Sequence, residues 1–114
     1  MRAARLDPAR RRIQLLDVAL QLAQTDGSSY RELTRAGVAA AAGVSPAAVS
    51  YCFGTIPNMR RAVLRHAVRV RCVPVIAQGV VAADADLNGR VDATVMQQVA
   101  AWVVRLAGGP PDQR

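Results

Sequence analysis

The sequence predicts an all-α fold, and three observations carry that expectation. Apolar residues recur at three- and four-residue spacing along most of the chain, the period of a helix face. No stretch alternates apolar and polar with the period of two that a half-buried strand requires. Residues 34–53 read TRAGVAAAAGVSPAAVSYCF, two short helices with their own capping residues, hinged at a glycine.

The elements follow in order. A first helix runs to about Gln24, with Pro8 near its start and Ile13, Leu16, Leu20 and Ala23 as its apolar stripe. Arg10, Arg11 and Arg12 crowd its beginning, where the helix dipole disfavours cations by about 0.3–1 kcal/mol each. An external phosphate partner would account for that placement. Thr25-Asp26-Gly27-Ser28-Ser29 is turn chemistry. Thr34 then caps a helix, Gly43 admits the left-handed backbone that ends it, and Ser45-Pro46 starts the next. Val38, Val44, Val49 and Phe53 converge on one interior and leave Ala47, Ala48, Ser50 and Tyr51 outside, the spacing of a helix-turn-helix. A fourth helix runs from Pro57 or Asn58 to about Cys72, with Met59, Val63, Ala67 and Val70 on one side. Arg60, Arg61, Arg65, Arg69 and Arg71 lie along it, and Pro74 breaks or kinks it. Val75 to Ala83 makes a short apolar helix, Asp84 to Gly89 a polar turn, and about Val91 to Leu106 a final helix.

At 114 residues the chain supports one small domain, or a domain with a short appendage. An apolar fraction of 52% suits a folded globule. All fifteen basic residues are arginine, a choice read as compositional bias; their distribution is more informative. Residues 1–72 hold twelve of them against four acidic residues, whereas residues 73–114 hold three against four. The positive excess therefore accompanies the helix-turn-helix, as expected if that half meets a polyanion. Cys52 and Cys72 form neither a disulfide framework nor a metal signature. With no signal-peptide pattern and no apolar run of membrane-spanning length, a soluble cytoplasmic protein without a membrane partner is expected.

The segment resembles the N-terminal domain of tetracycline-repressor-type (TetR family) regulators. Thr34, Val38-Ala39, Ala42-Gly43-Val44-Ser45 and the aromatic pair Tyr51 and Phe53 stand in that family's register, and the likeness covers roughly residues 9 to 70. The resemblance implies that the second helix of the motif enters the major groove of double-stranded DNA. Thr34 and Arg35 would then occupy backbone or groove-edge positions, Ser45 would open the reading helix, and Pro46, Ala47, Ala48 and Ser50 would face the bases. Tyr51 matches a phosphate-contacting aromatic and Phe53 a core position. Ile56 stands where the family commonly has a phosphate-binding lysine, and Cys52 where it often has histidine. Arg60 and Arg61 are placed to replace that clamp, with Arg11 and Arg12 nearby. An N-terminal arm, with Arg2 and Arg5, is suited to a narrow minor groove. Bidentate base readout uses Arg, Lys, Asn or Gln, and positions 46–50 contain none. Ala47 and Ala48 suit thymine methyls, Ser50 offers one ambiguous hydrogen bond, and Arg35 is left as the candidate for a guanine.

Only about forty residues follow Pro74, too few to wall a ligand pocket of roughly 300–1,000 Å³. Val95, Val99, Trp102, Val103 and Leu106 instead form an apolar face suited to a second copy, or to an intramolecular strip against Val75 to Val81. The expected organisation is an arm at 1–8, a helix-turn-helix domain of about four helices at 9–72, a two-helix dimerisation segment at 73–107 and a tail at 108–114. Asp84, Asp86, Asn88, Gly89 and Asp92 match positions of a calcium loop, but Val95 stands where its bidentate glutamate belongs. An interhelical turn with capping residues is the simpler reading, with no metal and no cofactor expected. His66 lacks clustered partners and is expected on a helix surface. No nucleophile, base and orienting group come together as in an enzyme. The expectation is a dimeric DNA-binding transcription regulator, a repressor on a palindromic operator, of a compactness that suits a bacterium, phage or plasmid. The alternative is a protein-interaction module or antirepressor that pairs with another regulator; a small-ligand-responsive repressor comes third.

Overall fold

The structure is a computed structural model that describes residues 7–25 and 28–106, with residues 105 and 106 described by backbone alone. Six α-helices and two 3-10 turns account for its regular structure, with no strand among the described residues. Arg2, Arg5, Asp26, Gly27, the Leu106 side chain and the tail at 108–114 lie outside the described residues.

Every α-helix but the fifth starts where its sequence supplies a side-chain cap. Asp7 accepts the Arg10 backbone N–H at 2.8 Å and opens α1, Pro8–Ala23. Leu15, Leu16, Ala19, Leu20 and Ala23 form its buried arc. Ile13, expected in that stripe, is 53% exposed, because at 100° per residue it falls at the edge of an arc centred on Ala19 and Ala23. Thr34 accepts from Gly37 N–H at 3.0 Å and opens α2, Arg35–Ala42. Ser45 accepts from Ala48 N–H at 3.1 Å and opens α3, Pro46–Phe53, with Pro46 at its start. Thr55 does the same through Asn58 for α4, Ile56–Val70. Pro74, expected to break that helix, sits in the first turn of the next, α5, Val73–Val81. Asp92 accepts from Val95 N–H at 2.8 Å at the start of α6, Ala93–Leu106.

Gly43 ends α2 with φ at +72°, the left-handed geometry that its position predicts. A Cβ placed on Gly43 would meet nothing within 4 Å, so Gly43→Ala carries only the backbone strain. That substitution is expected to destabilise the fold by about 1–2 kcal/mol, read as a lower urea midpoint with an unchanged m-value. An unchanged midpoint would mean that the α2–α3 hinge accommodates other backbone geometries. A different economy operates at Gly79 in α5. There an added Cβ would lie 2.8 Å from Leu87 and 3.0 Å from Leu64, so the missing side chain lets both leucines close over the helix.

One core joins all six helices. Leu15 and Leu16 of α1, Val38 of α2, Val49 of α3, Val63 and Leu64 of α4, Ile76 of α5 and Val99 of α6 belong to the same buried cluster. The expected boundary near residue 72 is thus a helix junction inside a shared core. Val95 and Val99, expected to meet a second copy, are 5% and 0% exposed within one protomer. α6 closes the interior of the protomer, with α5 as the opposite wall. Trp102 and Val103 are half-buried, while Met96 and Val104 face outward.

His66 is likewise inside rather than on the surface, at 5% exposure. Its Nε2 lies 2.8 Å from Asp17 Oδ1, and its Nδ1 lies 3.4 Å from Arg69 Nη2. Arginine only donates, so Nδ1 accepts, and the ring proton on Nε2 goes to Asp17. The Asp84–Asp92 turn uses its carboxylates internally. Asp84 accepts from the Tyr30 hydroxyl and Asp86 N–H, Asp86 pairs with Arg61 and Arg65, and Asp92 caps α6. No single helix among the described residues is long and apolar enough to cross a membrane.

Candidate nucleic-acid interface

Helices α2 and α3 meet at 113°, within the range of a helix-turn-helix. Val38 and Val49 are fully buried and Phe53 nearly so, so the inner faces of both helices are anchored. That packing leaves one outer face on α3. Ser45, Pro46, Ala47 and Tyr51 are exposed, with Ala48 and Ser50 half-buried behind them. Thr34 is exposed at the neighbouring start of α2. The oxygens of Thr34 and Ser45 accept from their helices, which leaves each hydroxyl proton free to be donated outward. Tyr51 is 92% exposed, an aromatic ring held almost wholly in solvent.

Beside this face lies a groove of about 580 Å³ between the start of α1 and the end of α3. Pro8, Ala9, Arg11, Arg12, Tyr51 and Cys52 are among the residues lining it. Arg12 is held in place by two contacts. Its Nη1 donates to the Cys52 carbonyl at 3.3 Å, and its guanidinium stacks 5.0 Å from the centroid of Phe53. Arg11 is half-buried, and its Nε has no partner among the described residues. The sequence expectation that α1 begins in a basic cluster beside the motif thus acquires a geometry: Arg11, Arg12 and Tyr51 border one depression.

Two of the expected contact residues are committed elsewhere. Arg60, expected at a phosphate, donates both Nε and Nη2 to the Leu33 carbonyl, at 3.2 and 3.0 Å. This bidentate grip holds the turn before α2 against α4. Arg35, expected at a guanine, bends back to donate Nη2 to the Gly54 carbonyl at 3.3 Å, with its Nε buried. It ties α2 to the α3–α4 junction and would have to release that carbonyl to reach a base. Arg61, expected beside Arg60 at a phosphate, instead heads an exposed row along α4 with Arg65 and Arg69, to which the motif register gave no role. Their spacing of four residues was the available signal.

No protein-family model matches this chain, and neither does any curated protein or solved structure.

Proposed function

We propose that this chain is a DNA-binding transcription regulator of the TetR type, which docks α3 in the major groove and acts as a dimer on a palindromic site. The observation that carries the proposal is the outer face of α3: an exposed Tyr51 and a small-residue surface, on a helix-turn-helix flanked by Arg11 and Arg12. Small side chains let the helix approach base edges closely, with alanine methyls against thymine methyls. Tyr51 and the two arginines meet the phosphates on either side. Affinity comes mainly from the backbone contacts, and sequence preference is modest, because no residue from 46 to 50 can make a bidentate base contact. A second copy packs through the outer side of α6, where Met96 and Val104 are 40% and 45% exposed. Repression follows by occlusion of a promoter.

The test is a fluorescence-anisotropy titration of the full chain against palindromes selected from a random duplex pool, repeated over a range of salt. Two protomers per palindrome and a steep negative salt slope are expected. Weak binding that ignores sequence, one protomer at a time, would reject the proposal. The competing reading is a protein-interaction module, favoured by the largely apolar groove that Pro8, Ala9, Ala48 and Cys52 help to line. It would be supported by tight binding of another regulator with no palindrome recovered from the pool.

A further inference from the structure

On the side of α4 that faces α1, a second depression of about 390 Å³ is lined by Arg12, Phe53, Asn58, Arg61, Arg65 and Arg69, among others. Arg61, Arg65 and Arg69 stand at successive turns of one helix, where like charges four residues apart destabilise an isolated helix. The fold compensates them sparsely. A single carboxylate, Asp86, serves two of them, at 3.2 Å from Arg61 Nε and 2.9 Å from Arg65 Nη2. Asp17 reaches the third only through His66, which stands between it and Arg69. Arg12 has no carboxylate partner among the described residues, and uses the Cys52 carbonyl and the Phe53 ring instead. Arg61 and Arg65 keep side-chain exposures of 48% and 44%, so both remain open to a ligand.

We infer that this cleft is a binding site for a chain of phosphate groups, held by Arg12, Arg61, Arg65 and Arg69. Each guanidinium carries five N–H donors in a planar fork that matches phosphate oxygens, and the bonds named above engage only some of them. Arginines four residues apart, about 6 Å along the helix axis, meet successive anions of a chain rather than one point charge. The cleft recognises charge and not bases. Its aromatic, Phe53, is buried and already covered by Arg12, so no free ring is offered for stacking. The volume falls within the range of small-ligand sites. Arg12 also lines the groove beside Tyr51, so the two depressions adjoin at one side chain. The phosphates therefore come either from the DNA backbone flanking the docked α3 helix or from a free oligophosphate. Only the first source rests on the DNA-binding reading.

The experiment titrates the full chain with sodium triphosphate by calorimetry, and separately with duplexes that carry or lack flanking base pairs. Arg65→Gln should weaken triphosphate binding about tenfold, the loss of a charge-assisted contact. Asp86→Asn should tighten it, since it frees Arg61 and Arg65 while Asp84 keeps its own bond to Tyr30. Arg90→Gln removes the same charge on an exposed residue outside the cleft and should change neither. Should Arg65→Gln fail to fold, Asp86→Asn alone decides by the sign of its effect. Triphosphate binding that follows this pattern and competes with DNA identifies a free oligophosphate. No triphosphate binding, with a salt slope that falls by about 1 in Arg65→Gln only on flanked duplexes, identifies the DNA backbone. If the wild-type chain binds no DNA, the DNA-binding reading fails and the triphosphate arm still decides the cleft. The inference is overturned if Arg65→Gln and Asp86→Asn shift neither ligand, or if Arg90→Gln weakens binding as much as Arg65→Gln.

Discussion

Ala47→Glu is expected to weaken DNA binding by at least about a hundredfold while leaving the protein as stable as before or slightly more so. Ala47 is exposed in the first turn of α3, directly after Pro46 and the Ser45 cap. A carboxylate there interacts favourably with the positive end of the helix dipole, by about 0.3–1 kcal/mol, and glutamate is nearly as good a helix former as alanine. The same carboxylate on a face docked between two phosphate strands meets like charge at close range, which costs several kcal/mol. Folding and binding thus move in opposite directions, which separates a docking defect from a damaged fold. Ala47→Gln supplies the neutral control: it adds a side chain able to pair with adenine and should keep binding or shift its preference. Tyr51→Ala should change stability by less than about 0.5 kcal/mol, because the ring is 92% exposed, yet lower affinity. Urea melts beside anisotropy titrations read both effects. If Ala47→Glu binds DNA like the parent chain, α3 is not the docking helix, and the arginine cleft on α4 becomes the principal contact.

How much of this was legible in the sequence depends on the range of the interaction concerned. Capping is local, and Thr34, Gly43, Ser45 and Pro46 each do in the structure what their positions predict. The helix order followed from the same signals, with α4 starting at Ile56, slightly earlier than expected, because Thr55 is its cap. Arginine roles were not legible. Arg60 and Arg61 are neighbours, yet Arg60 grips the Leu33 carbonyl 27 positions earlier while Arg61 pairs with Asp86 further along the chain. A helical wheel gives a residue its angle but not the backbone group that lies opposite it. His66 misled for the same reason: its partner Asp17 is 49 positions away, so no local cluster announced it. The face of α6 was read correctly as apolar, and of its two expected occupants the protomer's own α5, rather than a second copy, covers Val95 and Val99. The 3-10 turn at Tyr30–Glu32 went unread, and it holds the most consequential of these long-range contacts.

Tyr30→Ala is expected to remove about 3–5 kcal/mol, a large part of the roughly 5–15 kcal/mol typical of a domain. The ring is 2% exposed, its hydroxyl donates to Asp84 Oδ2 at 2.6 Å, and its backbone N–H donates to Gln78 Oε1 at 3.0 Å. Gln78 in turn donates to the Ala23 carbonyl at 2.8 Å, so one cluster fastens the end of α1, the 3-10 turn, α5 and the turn before α6. Tyr30→Phe keeps the ring and removes only the hydroxyl, an expected loss of about 1.5–3 kcal/mol for a bond to a charged acceptor. Its pH dependence is the sharper measurement. Burial pushes the phenol pKa well up, and the hydrogen bond to Asp84 adds to that rise. Burial works to raise Asp84 too, but the bonds from the Tyr30 hydroxyl and Asp86 N–H prevail and hold its carboxyl below the ordinary value. A depressed carboxyl stabilises the fold above its unfolded pKa, near 3.9, and that contribution is lost as pH falls through the folded value. A raised phenol stabilises fully below its unfolded pKa, near 10, and loses that contribution as pH climbs toward the folded value. The stability gap between wild type and Tyr30→Phe should therefore be widest between about pH 5 and 9 and narrow at both ends. Urea midpoints at acidic, neutral and alkaline pH measure it. A gap of constant size across that range would mean that the hydroxyl stabilises by packing alone, and that the Tyr30–Asp84 bond does not carry the linkage.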